Sequence, residues 1–192
     1  MDIVLWKDIA PPGYCKLASP PLWSTVKLHA GVSVVDEYPG GLVYPMSDLF
    51  PDDIVLRDNF EVAGQVLVSG KLRSHLVRAL RGHSIEFLPV SIFNHKGRLA
   101  SDDYFIVHPL GVQDCIDLER SKVKWNPLRK KVILNCKGLM LKPDSVPSGV
   151  KLFRPMYWGF HVMATRDFAD DLVSAGFTGL RFTEVAGFNG IS

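Results

Sequence analysis

The densest group of residues with chemistry to offer is the acidic stretch Asp114-Cys115-Ile116-Asp117-Leu118-Glu119. Read as a strand, it sets Cys115, Asp117 and Glu119 on one face. Paired carboxylates suit general acid–base catalysis or divalent-cation binding. A small enzyme would work through Asp114, Asp117 and Glu119. Such a site needs partners from elsewhere in the chain, and the sequence nominates none. Cys115 has no base beside it to make it a nucleophile. The structural alternative has Asp117 or Ser121 accepting backbone donors at a turn. That alternative is preferred, and no catalytic residue is assigned.

Other constellations are weaker. The histidines His29, His75, His83, His95, His108 and His161 fall in no metal-ligand spacing. They read as surface or satisfied core residues. No phosphate-cradling glycine loop, dinucleotide fingerprint or nucleophile elbow is present. Neither cofactor nor metal is expected. The segment Lys122–Lys131 is basic and contains Trp125, so it has the means to contact phosphates and stack a base. It reads equally as a solvated hairpin turning at Asn126-Pro127. A net charge of only +2 favours the hairpin and argues against nucleic acid as a partner.

These residues need elements to position them. Gln65–Ser69 is apolar and β-branched, as a buried strand is. Ser69 can cap a helix from Gly70 to Leu80. Leu72, Leu76, Val77, Ala79 and Leu80 form its apolar face, with Lys71, Arg73, Arg78 and Arg81 outside. Gly82 ends it, and Ile85–Phe93 is a strand. The arrangement returns near the end of the chain. There, Phe160–Ala164 is a strand and Thr165 the cap. Arg166–Ala175 is a helix with Phe168, Ala169, Leu172 and Val173 inward and Asp167, Asp170 and Asp171 outward. Gly176 closes it before a strand at Leu180–Val185. Aligning Val66–Ser69 with Val162–Thr165 puts Leu72 on Phe168, Leu76 on Leu172 and Val77 on Val173. The match is either an internal pair or the chance likeness of two common units. As a pair, the helices would pack on one face of a shared sheet.

Between the units, Tyr104–Val107, Lys131–Asn135 and Leu152–Arg154 read as strands. Seven of the 13 prolines precede residue 60: Pro11, Pro12, Pro20, Pro21, Pro39, Pro45 and Pro51. Proline interrupts helices and ladders, so this third should be loops and short strands lying against the rest. Val32–Val35, Leu42–Tyr44 and Ile54–Leu56 are its candidate strands, with a turn at Pro39-Gly40-Gly41. The fold class is thus α+β: a mostly antiparallel or mixed sheet with two helices in two strand–helix–strand units. One domain over residues 1–192 is expected, with strands and loops over 1–62 and the core over 63–192.

Bulk properties agree. A 192-residue chain with 47% hydrophobic and 22% charged residues has the composition of a folded domain and can bury a core. Lys7 and Asp8 interrupt the apolar start, which therefore does not read as a secretory leader. No stretch approaches the roughly 18 apolar residues of a membrane span. Cys15, Cys115 and Cys136 are odd in number and far apart, which favours neither disulfides nor zinc and suits a reducing cytoplasm.

Four stretches together resemble the bacterial immunity-protein family numbered eleven, over about residues 65–186. They are Val66–Ser69 with the following helix; Ile85–Val90; Tyr104–Leu110 with Asp114–Ser121; and Leu152–Pro155 with the Val162–Thr165 strand, its helix and Gly176–Phe182. The Asp117–Ser121 piece and the paired Gly176 and Gly179 are the most specific. The first 60 residues carry no resemblance. The resemblance implies a cytoplasmic protein that binds and silences a toxin encoded beside it, and it supplies no catalytic residues. Asp117 and Ser121 then read as holding the fold. Interfaces of this kind rest on a few aromatic or arginine anchors. The candidate partner-binding residues are Arg73, Arg78, Trp125, Asp167, Asp170 and Asp171. Tyr157 is a further anchor if exposed, whereas Trp158 is expected in the core.

Overall fold

The structure, a computed structural model, describes residues 2–18 and 26–190. Pro20 and Pro21 lie outside the described residues. In chain order the elements are β1 (Ile3–Asp8), α1 (Val26–His29), β2 (Leu42–Pro45), β3 (Asn59–Val62), β4 (Gln65–Ser69), α2 (Gly70–Ala79), β5 (Ile85–Phe93) and β6 (Leu99–Pro109). There follow β7 (Val112–Gln113), β8 (Lys122–Trp125), β9 (Ile133–Lys137), β10 (Leu152–Pro155), β11 (Met163–Thr165), α3 (Arg166–Ser174) and β12 (Leu180–Glu184). The fold class is α+β, as the sequence indicates.

Both strand–helix–strand units form. Ser69 is extended, and its hydroxyl accepts from the Leu72 amide at 3.2 Å, capping α2. Such a cap contributes about 1 kcal/mol. Thr165 occupies the same position before α3 without a side-chain cap bond. Gly82 and Gly176 follow the helices with φ of 87° and 75°, the left-handed turn that glycine adopts without a Cβ clash.

The units share a topology. One sheet runs β2-β5-β6-β4-β3 and the other β12-β1-β11-β10-β7. In the first, β6 lies antiparallel between β4 and β5, so the two strands flanking α2 are parallel. In the second, β1 does the same between β11 and β12 around α3. The strand before each unit, β3 or β10, pairs antiparallel with its first strand. Order and direction match over four strands and a helix. Only the source of the middle strand differs: β6 folds back from β5, whereas β1 comes from residues 3–8.

Side-chain alternation divides the interior into three cores. Val66 and Val68 of β4 face inward with Leu72, Leu76, Phe168, Leu172, Val4 and Trp6, joining both helices and the inner faces of both sheets. Leu67 of β4 points the other way, into a core closed by Cys15, Leu28, Val34, Tyr44 and Met46. The proline-rich third therefore covers the outer face of the first sheet. Ile3 and Leu5 of β1 point outward on the second sheet, under a cover containing Ile116, Ile133, Leu139 and Trp158.

Several expectations are corrected. The helices share a core but not a sheet: α2 packs on β4 and β6, and α3 on β11 and β1. Val77 and Val173 face solvent at 48% and 55% exposure. Each sits beside the stripe made by i, i+4 neighbours, not within it. Val32–Val35 is not a strand. The Val32 carbonyl lies 2.9 Å from His108 Nε2, Val34 donates to Glu86, and Val35–Glu37 is a 3₁₀ turn. Of Ile54–Leu56, only Val55 bridges, to Tyr14. The strand expected at Phe160–Ala164 is Met163–Thr165. Ile3–Asp8, for which no element is expected from the sequence, is an interior strand of the second sheet.

Candidate functional site

The carboxylates of Asp114 and Asp117 are taken up by the chain itself, Glu119 is exposed, and the stretch does not form the expected strand. Ile116 makes a single bridge to Leu141, and residues 118–120 turn. Asp117 Oδ1 accepts from the amides of Glu119 at 3.1 Å and Arg120 at 3.0 Å. Ser121 Oγ accepts from the Met140 amide at 2.9 Å. Both residues hold the turn, as the structural alternative has it. Asp114 pairs with Lys142 at 2.9 Å. Cys115 is buried, and burial pushes its thiol up to about 12. Among the described residues, no three His, Cys, Asp or Glu side chains are grouped to hold a metal ion.

The basic segment is a two-stranded ribbon. Val123 and Cys136 face each other across β8 and β9, and with Ile133 they lie on the outer core of the second sheet. Lys122, Lys124 and Lys137 face solvent. At the tip, Asn126 Oδ1 accepts from the amides of Leu128 and Arg129 at 2.9 and 3.1 Å, and Asn126 N donates to the Val132 carbonyl at 2.8 Å. This turn holds Leu128 outward at 92% exposure. Trp125 is 42% exposed and meets Tyr157 edge-on, with ring centroids 5.9 Å apart. Tyr157 has a φ of 66° and accepts from the Ile133 amide at 2.7 Å, fixing the base of the ribbon. A left-handed aromatic residue is a strained placement that its surroundings must enforce. Trp158 is buried, as expected.

The helices present opposite charge. Arg78 of α2 and Asp167, Asp170 and Asp171 of α3 are exposed. Arg73 is half-buried, its guanidinium 4.5 Å from the centre of the Phe105 ring. Trp125 lies on the ribbon, in the cover of the second sheet, apart from these helical faces.

Two polar clusters gave no sequence signal. The first joins the sheets. Asp58 accepts from Ser69 Oγ at 2.7 Å and from the Thr178 amide at 2.9 Å, tying the start of α2 to the loop after α3. Despite its burial, bonds from Thr178 and Ser69 and the charge of Lys71 lower its pKa. Asn59 accepts from the Trp6 indole at 2.9 Å and donates to the carbonyls of Lys7 and Gly179 at 3.0 Å. Gly179 has a φ of 80°, and a Cβ there would stand 2.6 Å from the Asn59 carbonyl oxygen. This explains one glycine of the pair that follows α3. Beside the seam lies a cleft of about 570 Å³, lined in part by Asp8, Lys16, Arg57, Glu61 and Arg181. Its charges are mostly spent internally, Arg57 on Asp8 at 2.6 Å and Glu61 on Lys7 at 3.4 Å.

The second cluster is cationic and buried. Arg154 is fully enclosed, and its Nη1 donates to the Gly159 carbonyl at 2.6 Å. Burial pulls its pKa down to about 10. Burial, followed by repulsion from Lys7 and Arg154, pulls His161 down to about 3. His29 falls to about 4 through burial and then Arg154. These histidines are neutral packing groups at pH 7.

The chain is thus an α+β protein whose free chemistry lies on charged outer surfaces. The immunity protein family model (Imm11) matches residues 19–187, and the chain belongs to that family. An immunity role, and a toxin as partner in general, follow from that membership. The matched region starts well before residue 65, so most of the segment that carried no resemblance lies within it. No curated protein matches the chain. No helix among the described residues is long and apolar enough to cross a membrane.

Proposed function

We propose that this protein neutralises one cognate toxin by binding it and occluding its working surface, in the cytoplasm, with the toxin encoded beside it. The observation that carries the reading is the family match over residues 19–187. The internal use of Asp114 and Asp117 also supports it, because two of the three carboxylates in the acidic stretch are committed to a salt bridge and a turn. Tight occlusion needs an interface of roughly 1,600 Å² with a few anchors. Arg73, Arg78, Trp125, Asp167, Asp170 and Asp171 are proposed contacts, with the half-buried Arg73 the least available. One domain over the whole chain is part of the same proposal, since the shared inner core joins both sheets.

The test is co-expression with toxin domains encoded next to this gene. Growth rescue by the intact protein, with co-purification of the rescued toxin, is expected. Absence of rescue against every neighbouring toxin would overturn the reading.

A further inference from the structure

The net charge of +2 is an average over two very unequal parts. Residues 120–143 contain eight cations and no acid: Arg120, Lys122, Lys124, Arg129, Lys130, Lys131, Lys137 and Lys142. Of the 22 lysines and arginines, 14 remain for the rest of the chain, against all 20 acids, a net −6. Arg120 and Lys142 answer Asp117 and Asp114 at 4.0 and 2.9 Å. Among the described residues, none of Lys122, Lys124, Arg129, Lys130, Lys131 and Lys137 is in an ion pair, and all six are exposed. Six like charges on one short ribbon repel one another, which disfavours the isolated fold slightly unless a partner meets them.

Apolar groups interleave with the charges. Trp125, Leu128, Val132 and Leu134 are all exposed on the ribbon. The Asn126 turn holds Leu128 outward, and Tyr157 braces Trp125. Anchors already ordered in the free protein lose less freedom on binding. A nucleic acid would be held by stacked aromatic side chains. Here three of the four groups are aliphatic, and a body of net −6 would repel a long polyanion.

We infer that the β8–β9 ribbon is the toxin-docking element, and that it fits an acidic protein surface with apolar pockets for Trp125 and Leu128. This rests on the immunity reading and names the surface and partner chemistry within it. The ribbon's cations set the rate of encounter and its apolar residues set the lifetime of the complex.

The experiment uses the full chain and the toxin that growth rescue identifies, with association and dissociation rates measured at several salt concentrations. K124E/K130E/K131E is expected to slow association by roughly tenfold or more and to flatten its salt dependence. W125A/L128A is expected to raise the dissociation rate by ~30-fold or more, as loss of central anchors does. The β8–β9 pair stays intact in these exposed variants, and unchanged thermal unfolding establishes that. R78E and D170K/D171K, at the proposed helical contacts, are expected to weaken binding at least tenfold less than either ribbon variant does. Ribbon variants that bind normally while helix variants fail would overturn the inference and leave the immunity reading standing. A parent chain that binds no neighbouring toxin would overturn both. A 20-base-pair DNA duplex is the remaining probe. Binding to it that the ribbon variants abolish, with toxin binding unaffected, would overturn the inference in favour of nucleic acid.

Discussion

Acidification from pH 7 to pH 5 is expected to cost this fold about 4 kcal/mol, with His29 and His161 supplying most of it. Folding holds their pKa values at about 4 and about 3. In the unfolded chain both return to about 6.5. The folded values lie below the unfolded ones, so the unfolded state takes up the extra protons. Stability is therefore full above about pH 6.5 and falls as the pH drops toward the folded values. At pH 5 an unfolded histidine of pKa 6.5 gains about 2 kcal/mol from protonation, while a folded one at 4 or below gains almost nothing. Subtracting the small fraction already charged at pH 7 leaves just under about 2 kcal/mol per residue. His108, also lowered by burial, acts in the same direction. Asp58 is held below the ordinary carboxylate range and stays ionised throughout this window. Urea unfolding followed by tryptophan fluorescence measures the effect. With a slope of about 2–3 kcal/mol per molar, the midpoint should fall by about 1.5 M between pH 7 and pH 5. His161→Gln should be less stable at pH 7 and lose nearly half of the pH dependence. A midpoint that moves by less than about 0.5 M would show that these histidines charge readily inside the fold. The burial argument would then fail, as it would if a His29→Gln/His161→Gln double variant kept the full pH dependence.

Three further outcomes follow from the packing. Asp58→Ala should destabilise by about 2–3 kcal/mol, because it leaves the Thr178 amide and the Ser69 hydroxyl without their shared acceptor; thermal and urea unfolding measure this. Val77→Lys and Val173→Lys should each change stability by no more than about 0.5 kcal/mol, because both positions are exposed. A cost of several kcal/mol at either would restore the inward reading. Cys15, Cys115 and Cys136 are all buried, and burial pushes the first two up to about 11 and about 12. A thiol-reactive disulfide reagent at pH 8 should label the native protein only at its unfolding rate and denatured protein at once.

The sequence was most legible where local signals agreed. β4, the Ser69 cap, α2 and β5 combine a β-branched run, a cap residue and an i, i+4 stripe, and their bounds are within a residue of those expected. Val77 and Val173 misled because periodicity does not fix how wide the buried stripe is. Two misses share another cause. Val32–Val35 and Asp114–Glu119 have strand-like alternation, but their backbones are committed to distant partners, His108 and Glu86 in one case and Leu141 and Lys142 in the other. Asp58 and Asn59 were invisible for the same reason: their partners lie up to about 120 residues away in sequence.

The surface posed a different difficulty, one of averaging. Net charge over the whole chain argues only against nucleic acid as a partner, yet the charge is divided between a basic ribbon and an acidic body. The topology gives the division a physical basis. The helices of both strand–helix–strand units bury their apolar stripes in one shared inner core, leaving their outer faces solvated. The second unit differs by the long excursion between β7 and β10, which covers the outer face of its sheet with Ile116, Ile133 and Leu139. Once Val123, Ile133 and Cys136 anchor the ribbon in that cover, the opposite face with Lys122, Lys124 and Lys137 is left to solvent, while Trp125 shares the anchored side and meets Tyr157 at its edge. Residues there are free to vary with a partner, as they are on surface loops held by a rigid scaffold. Among the described residues the six exposed cations are in no ion pair, so they remain available to an acidic partner.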